Sequence, residues 1–180
     1  MKVYPFTQAL EVSRTEAGDS AGSDGAVQHL IGNRNRVSGL RNFNQHPSEH
    51  ANVALGGVAV QSSSYDSNRK PQLAIDGKPF SDYLHGSCTA TRLENNPWWR
   101  LDMRGPYNIS YIKVIRRSDC CTSDIQGAEI LIGNSVENNG NNNPRCGVIT
   151  VTKEINMVFN CNQMEGRYVN VFFRGHDGDK

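Results

Sequence analysis

The run ISYIKVIR (residues 109–116), which leads directly into RSDCC (117–121), is the most informative stretch of the chain. Ile109, Tyr111, Lys113 and Ile115 alternate with Ser110, Ile112, Val114 and Arg116, so apolar residues stand on both faces. A strand with one solvated face alternates apolar with polar; a strand apolar on both faces suits the interior of a sandwich. Similar short β-prone runs recur on either side: GVAVQSS (57–63), WWRLDM (98–103), AEILIG (128–133), GVITVT (147–152), NMVFN (156–160) and RYVNVFF (167–173). Between the last of these runs, NNGNNNPRCG (138–147) reads as a long loop, because Asn and Gly tolerate the left-handed conformations that turns require. No segment holds a helical period for ten residues. The expected fold is all-β, an antiparallel β-sandwich or jelly roll.

The chain has 180 residues, enough for one domain with a core and a tail besides. Residues 1–50 contain SRTEAGDSAGSDGAVQ and GNRNRVSGLRNFNQHPSEH, rich in Gly, Ser, Asn and charge. Such a composition buries too little apolar surface to offset its ordering entropy, so 1–50 is expected to be a flexible leader and 51–180 the folded domain. A formal net charge of +1 with mixed signs argues against nucleic acid and anionic membranes as partners. No apolar run approaches the roughly 18 residues that span a bilayer. The first twenty residues also lack the apolar core of a signal peptide. The five cysteines, at 88, 120, 121, 146 and 161, point the other way, towards an oxidising compartment. They include no CxxC and no histidine pair at zinc spacing.

Adjacent cysteines beside an arginine admit two readings. Cys120 and Cys121 could bond to each other, presenting a small polarisable apolar knob for the apolar face of a sugar ring. Arg117 would then offer a fixed fork of donors to ring and hydroxyl oxygens, with Asp119 holding the fork in place. Alternatively, the two cysteines form ordinary structural bridges, and Arg117–Asp119 is a surface pair of little energetic value. Trp98 and Trp99 in NPWWRLD could form a carbohydrate platform, but neighbours on a strand face opposite ways, so at least one belongs to the core. Asp76 in AIDGKP reads as a turn with weak cation-binding character. His85 has no companion ligand and reads as structural. Asn108 opens a glycosylation sequon, NIS, relevant to a secreted chain. No nucleophile–base arrangement, phosphate loop or carboxylate pair suggests an enzyme.

Together, HGSCT (85–89), NPWWRLD (96–102), RRSDCC (116–121), GAEILIGNSVENNGNNNPRC (127–146) and GRYVNV (166–171) resemble the F-type lectins, the fucose-binding fucolectins of fish plasma among other sources. The resemblance runs from about Asn52 to about Phe173. It implies a discoidin-like (F5/8 type C-like) jelly roll, a structural calcium, a vicinal disulfide Cys120–Cys121 against which fucose packs, and a disulfide Cys146–Cys161. It also implies that Cys88 is the odd cysteine, since its partner would lie on a C-terminal strand that this chain lacks. The sheet would then show an open edge.

The family's sugar anchors are one histidine and two basic residues. Arg117 and Asp119 keep the first basic motif, whereas Ala90 stands at the histidine position and Asp124 at the second basic position. Losing one neutral and one charged donor would cost about 2–4.5 kcal/mol, roughly 30- to 2000-fold in affinity. Asp124 could further occupy the donors of Arg117, or accept bonds from sugar hydroxyls. For calcium, Asp76 and Ser87 match the side-chain ligands and Leu73 and Lys78 the backbone carbonyls; a Cys-Glu pair of the last strand has no counterpart. The resemblance thus implies a secreted, calcium-stabilised lectin of innate glycan recognition, its sugar site weakened or altered, its partners fucosylated or other glycans, and homo-oligomers a further expectation. The alternative is a jelly roll that serves as a structural or interaction module without binding sugar.

Overall fold

The computed structural model describes residues 9–14 and 51–175. Six antiparallel strands form one continuous sheet system: β1 (Ala9–Arg14), β2 (Val58–Gln61), β3 (Trp98–Ile115), β4 (Glu129–Gly133), β5 (Arg145–Val148) and β6 (Asn156–Phe172). The only helices among the described residues are short 3-10 turns, such as Tyr83–His85 and Thr122–Ile125. The order is β1-β3-β6-β4-β5, with β2 also on β3.

Two pairs of runs that the sequence separates are each one long strand. WWRLDM and ISYIKVIR lie on β3, NMVFN and RYVNVFF on β6, and the two strands pair along their length with register shifts at Asp102/Tyr107 and Ile109/Tyr111. The first half of β3 pairs with β2, and the facing half of β6 pairs with β4. The second half of β3 pairs with β1. The β3–β6 ribbon is therefore shared by both layers of the jelly roll. Its irregularities, at Arg104 with φ +67°, fall where the partners change; extra residues in a ladder bend it, which lets one ribbon serve two layers.

A single apolar cluster lies between the layers, including Trp99, Leu101, Ile112, Val114, Ile130, Ile132, Val169 and Val171. Trp99 is fully buried and its Nε1 donates to the Pro71 carbonyl at 2.9 Å, which satisfies its one polar atom. Trp98, on the opposite face, is only half-buried. In GVITVT only Gly147 and Val148 remain in a strand; the chain leaves the ladder at Ile149, which is buried and donates its N–H to the Ala128 carbonyl at 2.7 Å.

Residues 9–14 depart from the expected leader. ALEVSR pairs with β3 from Ala9↔Ile115 to Arg14↔Ile109, and Leu10 and Val12 are buried. Burying one such side chain fully contributes about 1.5–3 kcal/mol, enough to hold a short strand that composition alone would leave out. Glu11 sits opposite Lys113, and the two pair across the strands at 3.2 Å. The side of β3 running from Ile109 to Ile115 is thus covered, not open. The rest of the expected leader lies outside the described residues. Both implied disulfides are present, Cys120–Cys121 and Cys146–Cys161, while Cys88 is a buried thiol.

Candidate functional site

The site begins where β3 ends. Arg116 and Arg117 leave the strand on opposite sides, and the difference separates structure from surface. Arg116 is buried and its guanidinium donates to the carbonyls of Arg117, Thr152, Lys153 and Glu154, clamping the loop before β6. Arg117 turns outward. Its Nε donates to Asp119 Oδ1 at 2.7 Å and its Nη2 to Asp119 Oδ2 at 2.6 Å, a two-point fork that fixes the guanidinium plane. Nη1 takes no part in that fork.

The Tyr83 turn supports this arrangement from the other side. The Tyr83 N–H donates to Asp119 Oδ1 at 3.2 Å, and the guanidinium of Arg117 lies 4.0 Å from the Tyr83 ring centroid. Ser118 N–H donates to the Ser81 carbonyl at 2.8 Å, tying the two loops together. The Arg117 hydrogen bonds hold the Asp119 carboxyl down at about 2, aided by the Tyr83 N–H and opposed by burial. Asp119 in turn raises the Arg117 pKa. The pair is charged at any physiological pH.

Two positions on, Cys121 adopts φ +57° and caps the Thr122–Ile125 turn, its carbonyl accepting from Asp124 N–H at 3.0 Å. The vicinal disulfide therefore follows the arginine fork directly, with Cys121 exposed. Asp124 is half-buried. It does not occupy Arg117 as expected: both hydrogen-bonded oxygens on Arg117 belong to Asp119. Ala90 is fully buried, and its carbonyl accepts from Tyr65 N–H and Gln61 Nε2. Only its backbone does polar work there, so the position of the absent histidine offers no donor.

The residues expected to hold calcium are all among the described residues. Asp76 ends the Pro71–Ile75 turn and its Oδ1 accepts from Lys78 N–H at 2.9 Å. Ser87 is buried and its Oγ has no hydrogen-bond partner. A buried hydroxyl left unsatisfied costs about 1–3 kcal/mol, so this oxygen fits a missing ligand. No group of three or more His, Cys, Asp or Glu stands together among the described residues. Leu73 and Lys78 bracket Asp76 on the same loop. His85 is exposed and stacks on Phe80 at 5.3 Å instead of serving the interior. Asn108 is exposed on β3.

Two residues escaped the sequence motifs. Tyr83 is one; the other is Arg69, whose guanidinium lies 3.4 Å from the same Tyr83 ring. Neither belongs to a motif around Arg117, and only folding brings them together.

Comparison with known proteins agrees with the fold and the motifs. The NedA-like, galactose-binding domain family matches residues 73–171. Fucolectin-1 of Anguilla japonica is 46% identical over 127 residues, 67% of this chain and 71% of that protein. A pentraxin fusion protein of Xenopus laevis is 40% identical over 148 residues, 81% of this chain, which spans about a third (34%) of that longer protein. Among solved structures, an F-lectin (fucolectin) from the serum of striped bass, Morone saxatilis, superposes with a TM-score of 0.66 at 31% identity, covering 93% of this chain and 67% of that one. A Streptococcus pneumoniae fucose binding module, SpX-3, does so at 0.60 and 25% identity over 69% of this chain and 88% of its own. The fucolectins among these relatives are named as lectins, which accords with the reading of this sequence as a non-enzyme. With a fucolectin matched over more than two-thirds of its length and a discoidin-like fold, the chain belongs to the F-type lectin family.

Proposed function

We propose that this chain is a carbohydrate-binding lectin that recognises fucosylated glycans through the corner formed by Arg117, Asp119 and Cys120–Cys121. The observation that carries the reading is the Arg117 fork, held rigid by Asp119 and Tyr83 beside the vicinal disulfide. Nη1 would donate to ring and hydroxyl oxygens while the disulfide receives the apolar face of the ring. Because the geometry is set before binding, little side-chain entropy is lost on association, a cost of about 0.5–1.5 kcal/mol for each mobile side chain. The fold and the names of the relatives support this reading.

Recognition is weaker than two further anchors would make it. Buried Ala90 supplies no donor and Asp124 supplies a carboxylate where a cation would bind, so the roughly 30- to 2000-fold reduction stands as the expected scale. Calcium would be held by Asp76 and Ser87 with the carbonyls of Leu73 and Lys78, supplying a hard cation that ties the loop before HGSCT to the domain. Its own ligand preference of six to eight oxygens would leave room for water. A secreted protein of innate glycan recognition, multimeric for avidity, is the setting in which such a site is useful.

The test is titration of the oxidised protein, produced in a secretory host, with L-fucose and a panel of fucosylated glycans, with calcium and with chelator. Millimolar or tighter binding that Arg117→Ala weakens by about 10-fold or more supports the reading. Cooperative folding with no sugar bound at any concentration would make the chain a structural or interaction module.

A further inference from the structure

Arg69 is the least explained charge in the molecule. Its side chain is about nine-tenths buried, yet Nε and Nη1 have no hydrogen-bond partner, and among the described residues no carboxylate forms an ion pair with the guanidinium. The nearby acids are engaged elsewhere: Asp119 with Arg117 and the Tyr83 N–H, Asp66 with the Asn68 N–H, and Asp82 with the Leu84 N–H. A buried cation without a counter-charge is costly, and an incoming anion would relieve that cost. What Arg69 does have is Tyr83: its guanidinium lies over that ring and interacts with the phenol as a hydrogen-bonding cation, and Arg117 approaches the same ring. The Arg69 carbonyl and the Ala90 carbonyl accept from the same Gln61 amide, which places the Arg69 backbone beside the position where the histidine is absent.

Arg69 also lines a cleft of about 490 Å³ together with Lys70, Ser67, Asn68 and Leu84. That volume falls within the range of small-ligand sites, about 300–1,000 Å³. Its walls carry two cations, a hydroxyl and an amide, and no carboxylate. Leu84 stands almost fully exposed at its rim, offering an apolar contact. None of these residues belongs to the Arg117–Asp119–Cys120–Cys121 corner, but Arg69 and Tyr83 join the two.

We infer that the cleft lined by Arg69 and Lys70 is a subsite for an acidic substituent, a carboxylate or a sulfate ester, on a glycan whose neutral sugar occupies the Arg117 corner. The inference rests on the lectin reading and names its ligand class: an acidic, not a neutral, fucosylated glycan. Arginine suits this task because its planar fork matches the oxygens of both groups, while Lys70 adds a point charge. Gaining charge-assisted bonds in the cleft offsets part of the donor loss at Ala90 and Asp124, so this chain has redirected recognition to the neighbouring surface.

The experiment uses the full oxidised chain and three matched probes: a neutral fucosylated trisaccharide, the same core bearing α-linked sialic acid, and the same core bearing a sulfate ester. One charge-assisted contact predicts that at least one acidic probe binds roughly 10-fold or more tighter than the neutral one. That preference should collapse to about equal binding in Arg69→Gln, remain in part in Arg69→Lys, and shrink as sodium chloride rises from 50 to 500 mM. The sialylated and sulfated arms tell which acid the cleft takes. Should Arg69→Gln fail to fold, Lys70→Gln and the salt dependence of the native chain carry the decision. Equal affinity for neutral and acidic probes in the native chain overturns the subsite and leaves the lectin reading intact. If none of the three probes binds, both are overturned.

Discussion

Among the described residues two arginine–aspartate forks share nearly the same geometry, and only one stands where sugar binding is proposed. Arg117 meets Asp119 at 2.7 and 2.6 Å; Arg167 meets Asp102 at 2.8 and 2.8 Å. Each depresses its carboxyl, Asp119 to about 2. The difference lies in the surroundings. Arg167 is 44% exposed and joins the middle of the β3–β6 ribbon, whereas Arg117 is 16% exposed. Arg117 sits at a strand end, against Tyr83 and next to the vicinal disulfide. A fork by itself is a surface ion pair. It becomes a recognition element when its plane is fixed from the second side and an apolar contact stands within reach of the same ligand.

Replacing each arginine tests the contrast most severely. Arg117→Ala should lower affinity for a fucoside by about 10- to 100-fold in calorimetric titration, the loss expected of a charged donor. Asp124→Arg comes next, with a gain of up to about 10-fold, since it restores a cation next to the fork. Ala90→His is the wrong repair. That position has no exposed surface, and overpacking should instead cost about 1–3 kcal/mol in denaturant unfolding.

Ser87→Ala should reverse sign with calcium. In chelator it removes an unsatisfied buried hydroxyl and leaves stability equal or raised; with calcium present it should destabilise by about 1–3 kcal/mol. A thermal shift series with and without the ion reads both. Acid provides a milder probe. The folded pKa of Asp119 lies below its unfolded value, so its contribution is present above the unfolded pKa and is lost as pH falls through about 2. Stability, read as the midpoint of denaturant unfolding, should therefore stay level from pH 8 down to about 4 and decline from there to about 2, while affinity of the folded protein for the fucoside holds until Asp119 itself protonates near 2. Arg167→Ala is the smallest change, leaving binding intact and stability within about 1 kcal/mol of the native chain.

Much of this was legible in the sequence, for physical reasons that can be named. ISYIKVIR faces the core with Ile112 and Val114 while Tyr111 and Lys113 on its other face are half-buried, and RRSDCC marks its end because the disulfide and fork need consecutive positions. β1 was not legible. ALEVSR has the alternation of Leu10 and Val12 with Glu11 and Ser13, but over six residues only, inside a polar stretch, with its partner a hundred residues away. GVITVT looked like a full strand because β-propensity reports side-chain preference, whereas Ile149 is held outside the named strands by two backbone bonds, its N–H donating to Ala128 and its carbonyl accepting from Gly127. Arg69 could not be found at all, since its meaning comes from Tyr83 across a loop and from charges that are absent around it.

The most direct test of the central claim is a crystal structure of the oxidised protein with a fucoside bound. The expected complex has a sugar oxygen within hydrogen-bond distance of Arg117 Nη1 and the apolar face of the ring on Cys120–Cys121. A sugar seated elsewhere, such as the cleft between Trp98 and the Asn138–Asn141 loop, with Arg117 untouched, would contradict it.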